Sequence, residues 1–165
     1  MLRCLGVDLG LVGAGGLAIV EDGDPPQVLA TLALPTRQSG QDFVAEVYAL
    51  LRFYKPHLVV CEKPWTGRRD PRPRVGMAQR ERLGLVKLAC ERYDLSKSRL
   101  RLIWAVTMKR MITGNGRASK EQVGSIVRSI LGIEEEDEHV LDALGLALCG
   151  LQVERVRKRR KAFVA

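Results

Sequence analysis

Apolar and polar positions along this chain change period several times, and each change marks an element. Leu2 to Leu9 is a short apolar run, interrupted by Arg3 and ending around Asp8, which predicts a buried strand over 2–9. Residues 14–21 and 27–34 read as two further strands, separated by the turn sequence Glu21-Asp22-Gly23-Asp24-Pro25-Pro26. The three together predict an antiparallel meander. Phe43, Val44, Val47, Leu50, Leu51 and Tyr54 recur at helical spacing over 40–54, and Pro56 stops that helix. Residues 57–61 predict a fourth strand, and 63–74 a loop rich in proline and arginine. Over 75–93 the apolar residues occupy two faces, Leu83, Val86 and Cys90 on one and Leu85, Leu88 and Ala89 on the other. A helix apolar on two sides is buried on both, as a central core helix or with one side against a partner subunit. Residues 99–105 predict a fifth strand, followed by a short helix and the polar loop 113–118. Ser119 is placed to cap a helix over 120–131. After the acidic run 134–138 a core helix is expected over 138–152, then a basic stretch at 155–161.

Meander, helix, strand, helix, strand, helices is an α/β order of the ribonuclease H-like type: a mixed five-stranded sheet flanked by helices. The 165 residues are enough for one domain with a real core. A hydrophobic share of 46% fits a soluble globular protein. The formal charge of +8 favours a polyanionic partner, most often nucleic acid, with acidic membranes the alternative. Cys4, Cys61, Cys90 and Cys149 form no CxxC pair and are expected as buried reduced thiols. With no signal peptide or membrane-length apolar stretch, the expected location is the cytoplasm.

The chemistry starts from Asp8. A carboxylate at the end of a buried strand is costly unless something pairs with it. Gly10, Gly13, Gly15 and Gly16 let a backbone or phosphate come close. Glu62 repeats the arrangement after His57-Leu58-Val59-Val60-Cys61. Two acids at the ends of two core strands suggest a shared metal site. In the last helix His139 and Asp142 are three apart and share a face. In isolation His139 would cap the helix start and Asp142 would pair with a lysine; beside Asp8 and Glu62 they complete a donor set. Such donors suit Mg²⁺ or Mn²⁺. Two ions roughly 3.5–4 Å apart can activate water and stabilise the leaving oxygen of a phosphodiester.

Four segments in order resemble the RuvC-type Holliday junction resolvases (crossover junction endodeoxyribonucleases). They are Gly6-Val7-Asp8-Leu9-Gly10; Val59-Val60-Cys61-Glu62; Lys109 with Gly114-Asn115-Gly116-Arg117-Ala118-Ser119-Lys120-Glu121-Gln122-Val123; and His139-Val140-Leu141-Asp142-Ala143-Leu144. The resemblance covers nearly the whole chain. It implies a nuclease domain over 1–152 with a basic C-terminal tail over 153–165. It also implies a homodimer, here through the 75–93 helix, and paired cuts across a four-way DNA junction. The acidic-site positions fall on Asp8, Glu62, His139 and Asp142, with Asp137 and Glu138 close enough to replace His139 if the register slips. Leu9 in place of the family's common proline, and Lys63-Pro64-Trp65 after Glu62, mark a divergent branch, of the cellular or the phage-encoded kind.

The same resemblance places Trp65 as the aromatic that stacks in the opened junction centre; any base offers it a π-face. The polar loop carrying Arg68, Arg69, Arg72 and Arg74 suits DNA contact better than a core. Lys109 and Lys120 match basic positions near the catalytic site, where a lysine would neutralise phosphate charge, and Arg117 is a further expected DNA contact. Lys120 also falls in the first turn of its helix, where backbone N–H groups favour phosphate. The basic tail reads equally as a DNA-tracking segment or a solvated end.

The sequence therefore leads to a Mg²⁺- or Mn²⁺-dependent endodeoxyribonuclease that resolves four-way junctions, with branch-migration proteins as possible partners and no membrane association. The alternatives are another ribonuclease H-like nuclease, acting on RNA/DNA hybrids or ribosomal RNA precursors, and an inactive binder of branched DNA. An actin-like phosphotransfer protein would need two such domains, and this chain has room for one.

Overall fold

The computed structural model describes residues 1–10, 14–64, 73–95 and 99–164, at 73–75, 161, 163 and 164 through the backbone alone. Among the described residues ten elements follow in order: β1 Arg3–Asp8, β2 Gly15–Glu21, β3 Gln27–Leu34, α1 Gly40–Tyr54, β4 Leu58–Glu62, α2 Pro73–Arg92, β5 Leu100–Ile103, α3 Ala105–Thr113, α4 Lys120–Leu131 and α5 Glu138–Val164. The five strands make one mixed sheet in the order β3-β2-β1-β4-β5. β1, β2 and β3 form the expected antiparallel meander, and β4 and β5 add in parallel.

Strand periodicity sorts the sheet into two faces. Leu5, Val7, Val59 and Cys61 point to one core with Phe43, Val47 and Leu51 of α1 and Leu83, Val86 and Cys90 of α2. Cys4, Val20, Leu58 and Val60 point to the other, against Leu144, Ala147 and Leu151 of α5 and parts of α3 and α4. Asp8 shares the parity of Cys4, and Glu62 that of Leu58 and Val60, so both acids belong to the α5 face. Gly6 and Gly16 let α5 lie on the sheet: a Cβ on Gly6 would collide with the Ala143 carbonyl, and one on Gly16 with that of His139.

Several expected boundaries move, each for a local reason. β4 runs Leu58–Glu62, one residue later at each end than the expected 57–61. β5 ends at Ile103 because Trp104 is already the N-cap of α3. α2 starts at Pro73, a residue suited to the first helical position. Ala89, expected on the second face of that helix, is buried with the core residues, while Leu88 faces outward. The largest correction is α5, expected to end at 152 but continuing to Val164. No glycine or proline follows Gly150, and the arginines and lysines of this stretch are good helix formers. The basic stretch is therefore helical. Arg155 ties it to the β2–β3 turn, donating from Nε to Asp22 Oδ1 at 2.6 Å and from Nη2 to the Gly23 carbonyl at 2.8 Å. All four cysteines are free and buried, as expected.

Candidate active site

The ends of β1, β4 and α5 meet in a cleft of about 240 Å³. β1 pairs with β4 through Val7↔Cys61; one step further, the same register sets Asp8 level with Glu62. From above, the first turns of α5 present His139 and Asp142 on one helical face. All four sequence-predicted acidic-site residues line this cleft, together with Lys109 and Lys120.

Asp8 is only 5% exposed, and both its carboxylate oxygens are engaged. Oδ1 accepts from the Gly10 backbone N–H at 3.0 Å, in a turn that Gly10 completes at φ +67°. Oδ2 lies 2.7 Å from His139 Nδ1. Asp142 has its Oδ2 3.3 Å from Lys120 Nζ, which also reaches Glu138 Oε2 at 3.3 Å. The lysine pairing that was Asp142's simpler alternative is thus present within the site itself. The other simple alternative is not: Asp137, not His139, caps α5. Its Oδ1 accepts from the backbone N–H groups of His139 and Val140 at 2.9 and 3.0 Å.

The electrostatics follow from this crowding. Burial, then the Asp8 and Asp142 carboxylates, push the Glu62 carboxyl up to about 7 against the opposing pull of Lys120 and Lys109. Burial also raises Asp142, with Lys120 working in the other direction. At Lys120 burial opposes the charge, but Asp142 and Glu138 outweigh it and hold the ammonium above its usual range. Ser119 and Gln122 form a reciprocal capping box that fixes the start of α4, and with it the stem of Lys120. Lys109 donates to the Ala118 carbonyl at 2.7 Å, pinning α3 to the 113–118 loop.

Three acids and an imidazole suit a hard divalent cation by donor chemistry. The raised Glu62 carboxyl marks negative charge that the two lysines only partly offset. Among the described residues, no group of three or more His, Cys, Asp or Glu side chains stands ready in coordinating geometry. His139 and Lys120 instead occupy carboxylate oxygens that an ion would take.

Sequence reasoning missed two contributors from α2. Gln79 lines the cleft. Arg82 donates to the Leu9 carbonyl at 3.2 Å, with its guanidinium 5.0 Å over the Phe43 ring. Neither carries a motif signal, because both reach the site only through the packing of α2 on the sheet. Of the predicted DNA-contacting residues, Arg117 is exposed in the loop before α4. Trp65, Arg68, Arg69 and Arg72 lie outside the described residues, and Arg74 is described through its backbone alone.

The family model for crossover junction endodeoxyribonuclease RuvC matches residues 4–150. The protein of that name from Thermobifida fusca is 32% identical over 178 residues, covering 98% of this chain and 93% of the relative. That from Halorhodospira halophila is 31% identical, covering 90% and 89%. Among solved structures, Thermus thermophilus RuvC in complex with Holliday junction substrate has the same fold, with a TM-score of 0.76 and 24% identity, covering 90% of this chain and 92% of the other.

Proposed function

Because this chain belongs to the crossover junction endodeoxyribonuclease RuvC family, we propose that it resolves four-way DNA junctions by paired symmetric nicks. The observation that carries the reading is the convergence of Asp8, Glu62, His139 and Asp142 in one cleft flanked by Lys109 and Lys120.

In this reading Asp8, Glu62, Asp142 and His139 would hold two divalent ions, Mg²⁺ or Mn²⁺, which would supply Lewis acidity and an activated water for phosphodiester hydrolysis. Asp8 is the central ligand, because the Gly10 amide fixes its carboxylate at the junction of β1 and α5. Lys120, paired here with Asp142, stands with Lys109 at the cleft, where the two ammonium groups would neutralise charge that develops on the phosphate oxygens. The arginines over 68–74, Arg117 and Trp65 engage the junction arms and centre. The outward side of α2, with Leu88 and Met77 exposed, serves as the homodimer face, and a two-fold axis there would direct two sites at symmetry-related strands. Among the described residues no helix is long and apolar enough to cross a membrane.

A labelled synthetic four-way junction, an RNA/DNA hybrid and a linear duplex, each incubated with Mg²⁺ or Mn²⁺, test the assignment. Symmetric nicks confined to the junction are expected, and Asp8→Asn should abolish them while junction binding persists. Cleavage of the hybrid in preference to the junction would point to the other ribonuclease H-like activity. A complete lack of divalent-dependent cutting would point to a branched-DNA binder.

A further inference from the structure

Trp104 sits where a helix asks for a different residue. It is the N-cap of α3, yet its side chain makes no capping hydrogen bond; serine, threonine, aspartate or asparagine would accept from a first-turn amide there. Nor is the indole a core residue, since it is 40% exposed. Lys63 Nζ stands 4.5 Å from the ring centroid, close enough for a cation–π contact.

Each residue is a chain neighbour of one that lines the cleft. Lys63 directly follows Glu62, and Trp104 directly precedes Ala105, which lines the cleft. Glu62 pairs with Ile103 across β4 and β5, and the Lys63 N–H donates to the Ile103 carbonyl at 2.8 Å. This backbone bond, between β4 and the edge strand β5, ties the two chain segments together just beyond the strand ends.

We propose that Trp104 and Lys63 form a platform for an unpaired nucleotide of the strand whose phosphate enters the cleft. A nucleotide meets both halves of the pair: its base offers a π-face to the indole, and its phosphate an anion to the ammonium. Bases within a duplex have their faces covered by neighbours, so the occupant is one that the branched substrate leaves unstacked. The net charge of +8 favours the same polyanion. The platform is separate from Trp65, and it rests on the reading of the cleft as a nuclease site.

The capping position makes the test selective. Trp104→Ser removes the aromatic but supplies a cap, so its thermal midpoint should equal or exceed that of the native chain. Its junction affinity should fall roughly tenfold, the scale of one lost base–aromatic stack, while Trp104→Phe stays within about threefold. In a Trp65→Phe background Trp104 is the only remaining tryptophan of the two, and its fluorescence should be quenched by a four-way junction titrated without a cleavage-supporting ion. Unquenched fluorescence, native affinity in Trp104→Ser, or a lowered midpoint in both variants would overturn the platform. Junction cleavage by the native chain, run alongside, separates the two ideas: its absence removes the nuclease reading, whereas normal cleavage with an indifferent Trp104 removes only the platform.

Discussion

Asp8 Oδ2 and His139 Nδ1 lie 2.7 Å apart although 131 residues separate them in the chain. The contact joins the end of the central strand to the first turn of the longest helix. It depends on Gly16, over whose backbone the His139 carbonyl passes, and on Asp137, which caps the helix just before His139. The same contact uses a carboxylate oxygen that the proposed ion would take.

Exchanging the imidazole for a carboxylate should change the ion preference. His139→Asp makes the donor set all-oxygen, which suits Mg²⁺ better than a mixed set does. Junction cleavage rates in the two ions should show a lower Mn²⁺-to-Mg²⁺ ratio than the native chain. An unchanged ratio would remove His139 from the ligands.

Glu62 gives the ion-free protein a pH dependence with a definite sign. Its folded carboxyl is raised to about 7, whereas an unperturbed glutamate ionises near ~4.3. Between those values the folded chain binds more protons than the unfolded one, so stability falls as pH rises. The stabilisation is complete below the unfolded value and lost on passing about 7. Thermal midpoints in chelator should decline between about pH 5 and about pH 8, and Glu62→Gln should flatten that decline. Asp142, also raised, adds a slope of the same sign. An equally steep decline in Glu62→Gln would contradict the assignment.

Metal binding should run the opposite way. An ion requires the ionised Glu62, so apparent affinity should climb with pH toward 7, by up to about tenfold per unit for one proton released. Calorimetric titration of Mn²⁺ at several pH values reads this directly, and a flat profile would exclude Glu62 as a ligand.

Lys120→Ala should separate catalysis from stability. The ammonium is half exposed, so losing its pairs with Asp142 and Glu138 should cost under about 1 kcal/mol. Cleavage should slow by roughly 100-fold if the ammonium stabilises charge at the phosphate. Native single-turnover rates in this variant would leave Lys120 a surface ion-pair residue.

Gly16→Ala should damage the site from outside it. A Cβ there collides with the His139 carbonyl and must push the start of α5 off the sheet. The expected cost is about 2–3 kcal/mol, typical of overpacking, with cleavage lost beyond what the midpoint shift explains. Full activity in the folded fraction would mean that the first turn of α5 is not part of the site.

Much of this is legible in the sequence. Asp8 and Glu62 fall at strand ends because apolar runs of that length stop there. His139 and Asp142 share a helix face because residues three apart must. These are local consequences of backbone geometry, and an order of five strands and interleaved helices follows from them. Less legible was the role of each neighbouring charge. Asp137 and Glu138 are as acidic as Asp142 in sequence, yet one caps α5 and the other pairs with Lys120 outside the acidic centre.

The sequence by itself determined the elements, their faces and the acids they carry, because hydrophobic period and caps act over a few residues. Only tertiary structure decided which faces meet. The parallel register of β1 and β4 sets Asp8 beside Glu62, and the glycine contacts bring α5 down onto both. The packing of α2 delivers Gln79 and Arg82, and the β4–β5 edge pairs Lys63 with Trp104. These contacts join residues far apart in sequence, and they form only when the whole sheet is covered on both sides.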